Sequence, residues 1–153
     1  LDETHSDNQE VLPMPVIDSL EIIDSFPKRL KIYFNNEYEE NQAYSLEILS
    51  FINGEIDTVG IKKGVYDIID NIKQGTNIVE RNINSFSESD SLRIELHLLS
   101  EDLVQYVNSV KNYEGSVGDP FYPQPFLVYS NINGGYGIFG ADSYSSVVVE
   151  INQ

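Results

Sequence analysis

Three kinds of residue in this chain could do chemistry: a glycine-rich run, two histidines and a large excess of carboxylates. The run Gly135-Tyr136-Gly137-Ile138-Phe139-Gly140 has the G-x-G-x-x-G spacing of a dinucleotide fingerprint. That fingerprint needs a strand before it, a helix after it to receive the pyrophosphate, and an acid about 20 residues further on. Here β-branched strand residues follow Ala141 and Asp142. The glycines are therefore expected to serve backbone geometry at a turn or bulge. His5 lies in an acidic stretch, and His97 falls on the polar side of an alternating strand pattern, where it is expected to face solvent. No Ser or acid is placed beside His97 in sequence to suggest a triad. Among the 25 Asp and Glu residues no pair is distinguished for glycoside hydrolysis. The EF-hand template is absent, and Ser87–Ser91 and Asp67–Asp70 are too sparse to define a calcium cage. No catalytic residue, metal site or cofactor is assigned on these grounds.

The segment 121–144 carries more information. Phe121, Tyr122, Phe126, Tyr129, Tyr136, Phe139 and Tyr144 all fall within it, among 10 Tyr and 7 Phe in the whole chain. Tyrosine pairs a flat apolar body with a polar tip, which suits sugar faces and protein partners alike. Most of these rings are expected to fill a core or cover a sheet edge, with Pro120, Pro123 and Pro125 stiffening the approach. A recognition site, if carried here, is expected at Tyr122, Gln124 and Tyr136. The connection is irregular and proline-stiffened, so it holds rings outside a sheet at little ordering cost. Gln124 sits between two prolines with few local partners for its side chain.

The elements that must position these residues read mainly as strands. In Lys28–Asn35, Leu30, Ile32 and Phe34 point one way and Arg29, Lys31 and Tyr33 the other. In Ser91–Leu99, Leu92, Ile94, Leu96 and Leu98 face inward, opposite Arg93, Glu95 and His97. In Tyr144–Ile151, Val147, Val149 and Ile151 form the inner row. Such period-2 patterns mark half-buried antiparallel strands. Val16–Asp24, Ala43–Ile52, Asn77–Phe86 and Phe126–Ser130 are weaker strand candidates. Asn53-Gly54 predicts a hairpin between Ala43–Ile52 and Glu55–Val59. Ser100-Glu101-Asp102 followed by Leu103, Tyr106, Val107, Val110 and Tyr113 has helical spacing. Ser100 is its cap, Lys111 suits its last turn, and Gly115 is placed to end it. Val65, Ile68, Ile69 and Ile72 fit a second helix or a strand and turn equally. The expected fold is a mainly β, antiparallel β-sandwich with one or two short helices. Residues 1–15 read as an acidic linker or arm, and residues 16–153 as a single β-sandwich domain.

Composition narrows the partners. With 153 residues the chain is long enough to bury a core without metal or disulfide support. Nine Lys and Arg against 25 Asp and Glu leave a net charge of −16. That charge repels phosphate backbones, so nucleic acid and anionic membrane surfaces are poor partners. The absence of Cys removes thiol catalysis, iron–sulfur ligation and zinc knuckles. No apolar run approaches the roughly 20 residues that cross a bilayer. The sequence opens on Leu1 without a basic n-region or apolar h-region, so a signal or anchor is expected outside it.

Gly118-Asp119-Pro120-Phe121, Pro125, Tyr129-Ser130-Asn131-Ile132, Gly134 or Gly135, and Gly137-Ile138-Phe139-Gly140-Ala141 together resemble the closing signature of the domain of unknown function 4249 family. Pro15-Val16-Ile17-Asp18-Ser19-Leu20 is similar to the opening of that family's second half. Ser100–Tyr113 is similar to its acid-and-tyrosine helix. The resemblance spans about residues 13–149. It implies a Bacteroidetes-type outer-membrane lipoprotein, exported and held by a lipid anchor outside this chain, with this chain its C-terminal part. Genes of this family often neighbour those of TonB-dependent receptors, and the family has no established catalytic residues. The expectation is a non-enzymatic binding or accessory domain at the cell surface. Its partner would be a TonB-dependent receptor or another surface protein, or a glycan. The alternative is a structural or adhesion module that recognises protein or matrix.

Overall fold

The computed structural model describes residues 11–38, 42–57, 66–117 and 126–151. Eight strands and one α-helix lie among them: β1 (Ile17–Ile23), β2 (Arg29–Asn36), β3 (Ala43–Ile52), β4 (Glu55–Ile56), β5 (Asp67–Ile69), β6 (Gly75–Asn82), β7 (Ser91–Leu99), α1 (Glu101–Ser116) and β8 (Asp142–Glu150). Two antiparallel sheets form. One has the order β1-β2-β6, and the other runs β4-β3-β7-β8 with β5 also paired to β3. The fold is mainly β and sandwich-like, as the alternation predicts.

The core follows from that alternation. Leu30, Ile32 and Phe34 of β2 meet Leu92, Ile94, Leu96 and Leu98 of β7, with Tyr44, Leu46 and Val79 completing the cluster. Strand β2 and the first part of β7 bury alternate side chains, and burial of such large residues supplies roughly 1.5–3 kcal/mol apiece before the entropy of ordering the chain. Asn53 and Gly54 both take positive φ, 53° and 80°, which is the type I′ geometry that matches the twist of β3 and β4. Residues 11–16 have no regular structure, yet Leu12 packs against the core and Pro15 is buried.

Four local readings change. Phe126–Ser130 is not a strand: it has no regular structure and no ladder partner among the described residues. The strand expected at Asn77–Phe86 starts at Gly75, ends at Asn82, and gives way to a 3₁₀ turn at Asn84–Phe86. There the Asn84 side chain accepts from the Lys28 N–H, satisfying a backbone donor outside any ladder. Of the ambiguous stretch, Ile68 and Ile69 lie in the short strand β5, and Val65 lies outside the described residues. Helix α1 starts at its predicted cap, where Ser100 accepts from the Leu103 N–H, but it runs through Gly115 to Ser116. Gly115 does not take the left-handed conformation that would stop it, and Lys111 reaches the Tyr66 carbonyl at 3.3 Å instead of the final turn.

Candidate functional site

The chain leaves β7 through Ser100, forms α1, and returns through Ala141 into β8. Ser100 and Ala141 close the base of this excursion: the Ser100 N–H donates to the Ala141 carbonyl at 2.9 Å, and the Ala141 N–H donates to Ser100 Oγ at 2.9 Å. The returning segment is tied to the helix by side chains that serve two roles. Ser109 Oγ donates to the Tyr106 carbonyl and accepts from the Tyr129 N–H, at 2.7 and 2.8 Å. Ser116 Oγ donates to the Tyr113 carbonyl and accepts from the Phe126 N–H, at 2.8 and 3.2 Å. The two serines are seven residues apart, two helical turns, so both face the same side of α1. The Tyr129 hydroxyl donates to Asp102 in the first turn, and that carboxylate holds the phenol above its ordinary pKa.

Beyond Tyr129 the chain folds back on itself. Asn131 clasps Phe139 from both ends, its Oδ1 accepting from the Phe139 N–H at 2.8 Å and its Nδ2 donating to the Phe139 carbonyl at 2.9 Å. Ser130 Oγ accepts from the Gly137 N–H at 3.2 Å. Gly137 has φ +137°, and a Cβ there would lie 3.2 Å from Ile132 Cδ1. Gly140 would bring a Cβ within 3.0 Å of Leu103 Cβ on α1, so its role is close approach to the helix. The glycine run is thus a clasped turn followed by strand β8, with no helix after it to receive a pyrophosphate. The expected backbone role accounts for Gly137 and Gly140.

Tyr136 stands at the tip of this turn with 102% relative exposure. Tyr122 and Gln124, the other two residues assigned to a recognition site, lie outside the described residues, as does Phe121. The expectation that most of the aromatic rings fill the core is overturned for those the structure describes. Phe126, Tyr136, Phe139 and Tyr144 are exposed and Tyr129 is half-buried. The reason is topological: the stretch 126–140 is tied to α1 outside the two sheets, Tyr144 lies on the outer face of β8, and the core is filled by β2, β3 and β7, with Phe34 and Tyr44 as its rings. Leu127, Val128 and Ile132 add exposed aliphatic surface to the same segment, Leu127 at 93%. Sequence reading missed these three because an aliphatic beside a strand-like pattern is ordinarily assigned to a core.

His97 is the second correction. It does alternate away from the core, but it is only 8% exposed, so it does not face solvent. Asp142 opens β8 opposite Leu99, and its carboxylate accepts from Nδ1 at 2.9 Å. The Tyr144 ring stacks on the imidazole at 5.2 Å and 23°, and Tyr66 meets it edge-on at 6.1 Å. Tyr66 also donates to Asp142, and burial together with that carboxylate raises its phenol pKa. On the Nε2 side lie Glu95 Oε2 at 3.6 Å and Glu47 Oε2 at 4.0 Å. Glu95 is visible in sequence as the same-face neighbour two residues before His97. Glu47 is brought in only by register, because it pairs directly with Glu95 across β3 and β7.

No curated protein and no solved structure matches this chain. The family model for the domain of unknown function DUF4249 matches residues 1–147, nearly the whole chain. The match takes in the clasped turn, the helix and both sheets up to Val147, and the chain belongs to the DUF4249 family.

Proposed function

We propose that this chain is a non-enzymatic binding module at the outer-membrane surface, and that the segment 126–141 is its contact surface for a protein partner. The observation that carries the reading is an apolar, aromatic-tipped turn that is both exposed and braced. Leu127, Ile132, Tyr136 and Phe139 present apolar area, while hydrogen bonds from Ser109, Ser116, Asn131 and Ser130 hold the backbone that bears them. Bracing before contact lowers the ordering cost of association, and Tyr is enriched among residues that dominate binding energy. A protein partner is favoured over a glycan by how the polar groups are used. The Asn131 amide and Ser130 hydroxyl, which could read sugar hydroxyls, are spent inside the turn, and the exposed surface around them is largely apolar, from Leu127, Ile132, Tyr136 and Phe139.

A TonB-dependent receptor is the first partner to test, and a lipid anchor outside this chain would hold the module beside it. The test is co-purification from native outer membranes with wild type and with the double variant Leu127→Ser, Tyr136→Ser. A receptor retained by wild type and lost from the variant at unchanged Tm supports the reading. Equal retention by both removes this surface. The adhesion alternative is favoured by one feature, that β8 is an edge strand with Val147 and Val148 exposed. Open edges pair with other chains. Under that alternative Val148→Lys, and not the turn variant, abolishes binding.

A further inference from the structure

The outer face of the five-stranded sheet carries a group of side chains that the recognition turn does not use. We propose that Glu47, Glu95 and His97 form a binding site for one divalent transition-metal ion, with zinc the best match to the donors.

The argument starts from the imidazole. Asp142 is an acceptor as a carboxylate, so the Nδ1 it touches at 2.9 Å carries the proton. In the neutral ring Nε2 then bears the lone pair, which is the arrangement of a carboxylate–histidine–metal relay. Nε2 is buried and has no hydrogen-bond partner among the described residues. A buried polar atom without a partner is uncommon and calls for a ligand. The ring cannot turn to find another partner, because Tyr144 stacks on its face and Tyr66 abuts its edge.

What Nε2 faces is two carboxylate oxygens, and the three atoms lie within 4.8 Å of one another. The separations of 3.6 and 4.0 Å are too long for hydrogen bonds. A proton on Nε2 would draw Glu95 inward to about 2.8 Å. Two N and O donors each about 2.0–2.1 Å from one tetrahedral zinc stand about 3.4 Å apart, so the observed spacing suits a shared ion better than a shared proton. Charge agrees. Glu47, Glu95 and Asp142 contribute three negative charges, and Arg93, whose Nε sits 2.8 Å from Glu95 Oε1, offsets one. The remainder matches a divalent cation. Arg93 thus pairs with one oxygen of Glu95, and the other lies toward His97. Glu47 is exposed, which gives the ion a route in. An imidazole with two carboxylates and no sulfur selects zinc or a neighbouring transition metal over calcium or magnesium.

The test titrates zinc into chelator-treated protein against a chromophoric competitor, with ¹⁵N NMR of the His97 ring as a second readout. The proposal expects one equivalent bound and a large shift confined to Nε2. His97→Gln should abolish that equivalent. Glu47→Gln, a change at an exposed side chain that leaves folding intact, should weaken it at least about tenfold. Asp142→Asn should weaken it about 10–100-fold without removing a ligand. His5→Ala should leave it unchanged. Zinc uptake that is equal in wild type and Glu47→Gln, or a titration in which His97 Nε2 does not respond, overturns the site.

Discussion

Replacing Ser109 with alanine separates the bracing of the segment 126–141 from the stability of the helix that braces it. The hydroxyl accepts from the Tyr129 N–H at 2.8 Å, a partly buried bond between residues 20 apart in sequence. A neutral hydrogen bond of this kind contributes about 0.5–1.5 kcal/mol net. Losing about 1 kcal/mol should raise the opening equilibrium of the segment, and so amide exchange at Tyr129, about fivefold. Inside α1 the same change acts in the opposite direction. Alanine is a better helix former than serine by a few tenths of a kcal/mol, and the Ser109 bond to the Tyr106 carbonyl competes weakly with the helix. The urea midpoint should therefore stay the same or rise slightly, while exchange at Tyr129 accelerates and exchange at Val107 does not. Hydrogen exchange read residue by residue by NMR is the assay. Unchanged exchange at Tyr129, or uniform acceleration along α1, would show that the helix serines do not hold the segment.

Three further outcomes are expected. Leu96→Ala removes a fully buried side chain from β7 and should cost about 2–5 kcal/mol in urea denaturation, whereas Val148→Ala on the exposed side of β8 should stay within about 0.5 kcal/mol. Gly137→Ala forces a side chain into φ +137° and against Ile132, and should cost on the order of 1 kcal/mol or more in the same assay; no loss would mean the turn tolerates a different backbone. Burial pushes the Tyr44 phenol up to about 12, with Tyr38 and Glu37 adding to the shift. The unfolded chain ionises near 10 while the native phenol stays neutral, so this part of the stability is full below pH 10 and is lost as pH rises toward 12. Tyr44→Phe should flatten that alkaline decline, and an unchanged slope would contradict the assignment.

Much of the sandwich was legible because β2 and β7 alternate apolar and polar residues, so period alone assigns Leu30, Ile32 and Phe34, and Leu92, Ile94, Leu96 and Leu98, to the core face. The hairpin at Asn53-Gly54 and the cap at Ser100 were legible for the same kind of reason, a local geometry that few residues satisfy. The failures are of another kind. His97 alternates outward as read, yet outward is not exposed, because Asp142, Tyr144 and Tyr66 arrive from 45, 47 and 31 residues away to cover it. Glu47 joins it only through the register of β3 on β7. Most aromatics after residue 125, Tyr136 apart, read as core because ring content tracks burial on average, but three serines on and before α1 hold the stretch 126–141 outside the sheets. Nothing in the local pattern around Ser109 or Ser116 distinguishes a strap from a solvent-facing serine. Of the three residues assigned to a recognition site, Tyr136 is the one the structure describes, and it is fully exposed.

The most direct measurement of the central claim is photocrosslinking from position 136 in native outer membranes. A photoreactive phenylalanine analogue at Tyr136 is compared with the same analogue at Ile78, an exposed apolar position on β6 of the other sheet. Because both sites are exposed in the free protein, general adhesiveness labels both. The account predicts one adduct from position 136, identified by mass spectrometry as a TonB-dependent receptor, and none from position 78. The same adducts from both positions, or no adduct from position 136 in membranes that contain the receptor, would contradict it.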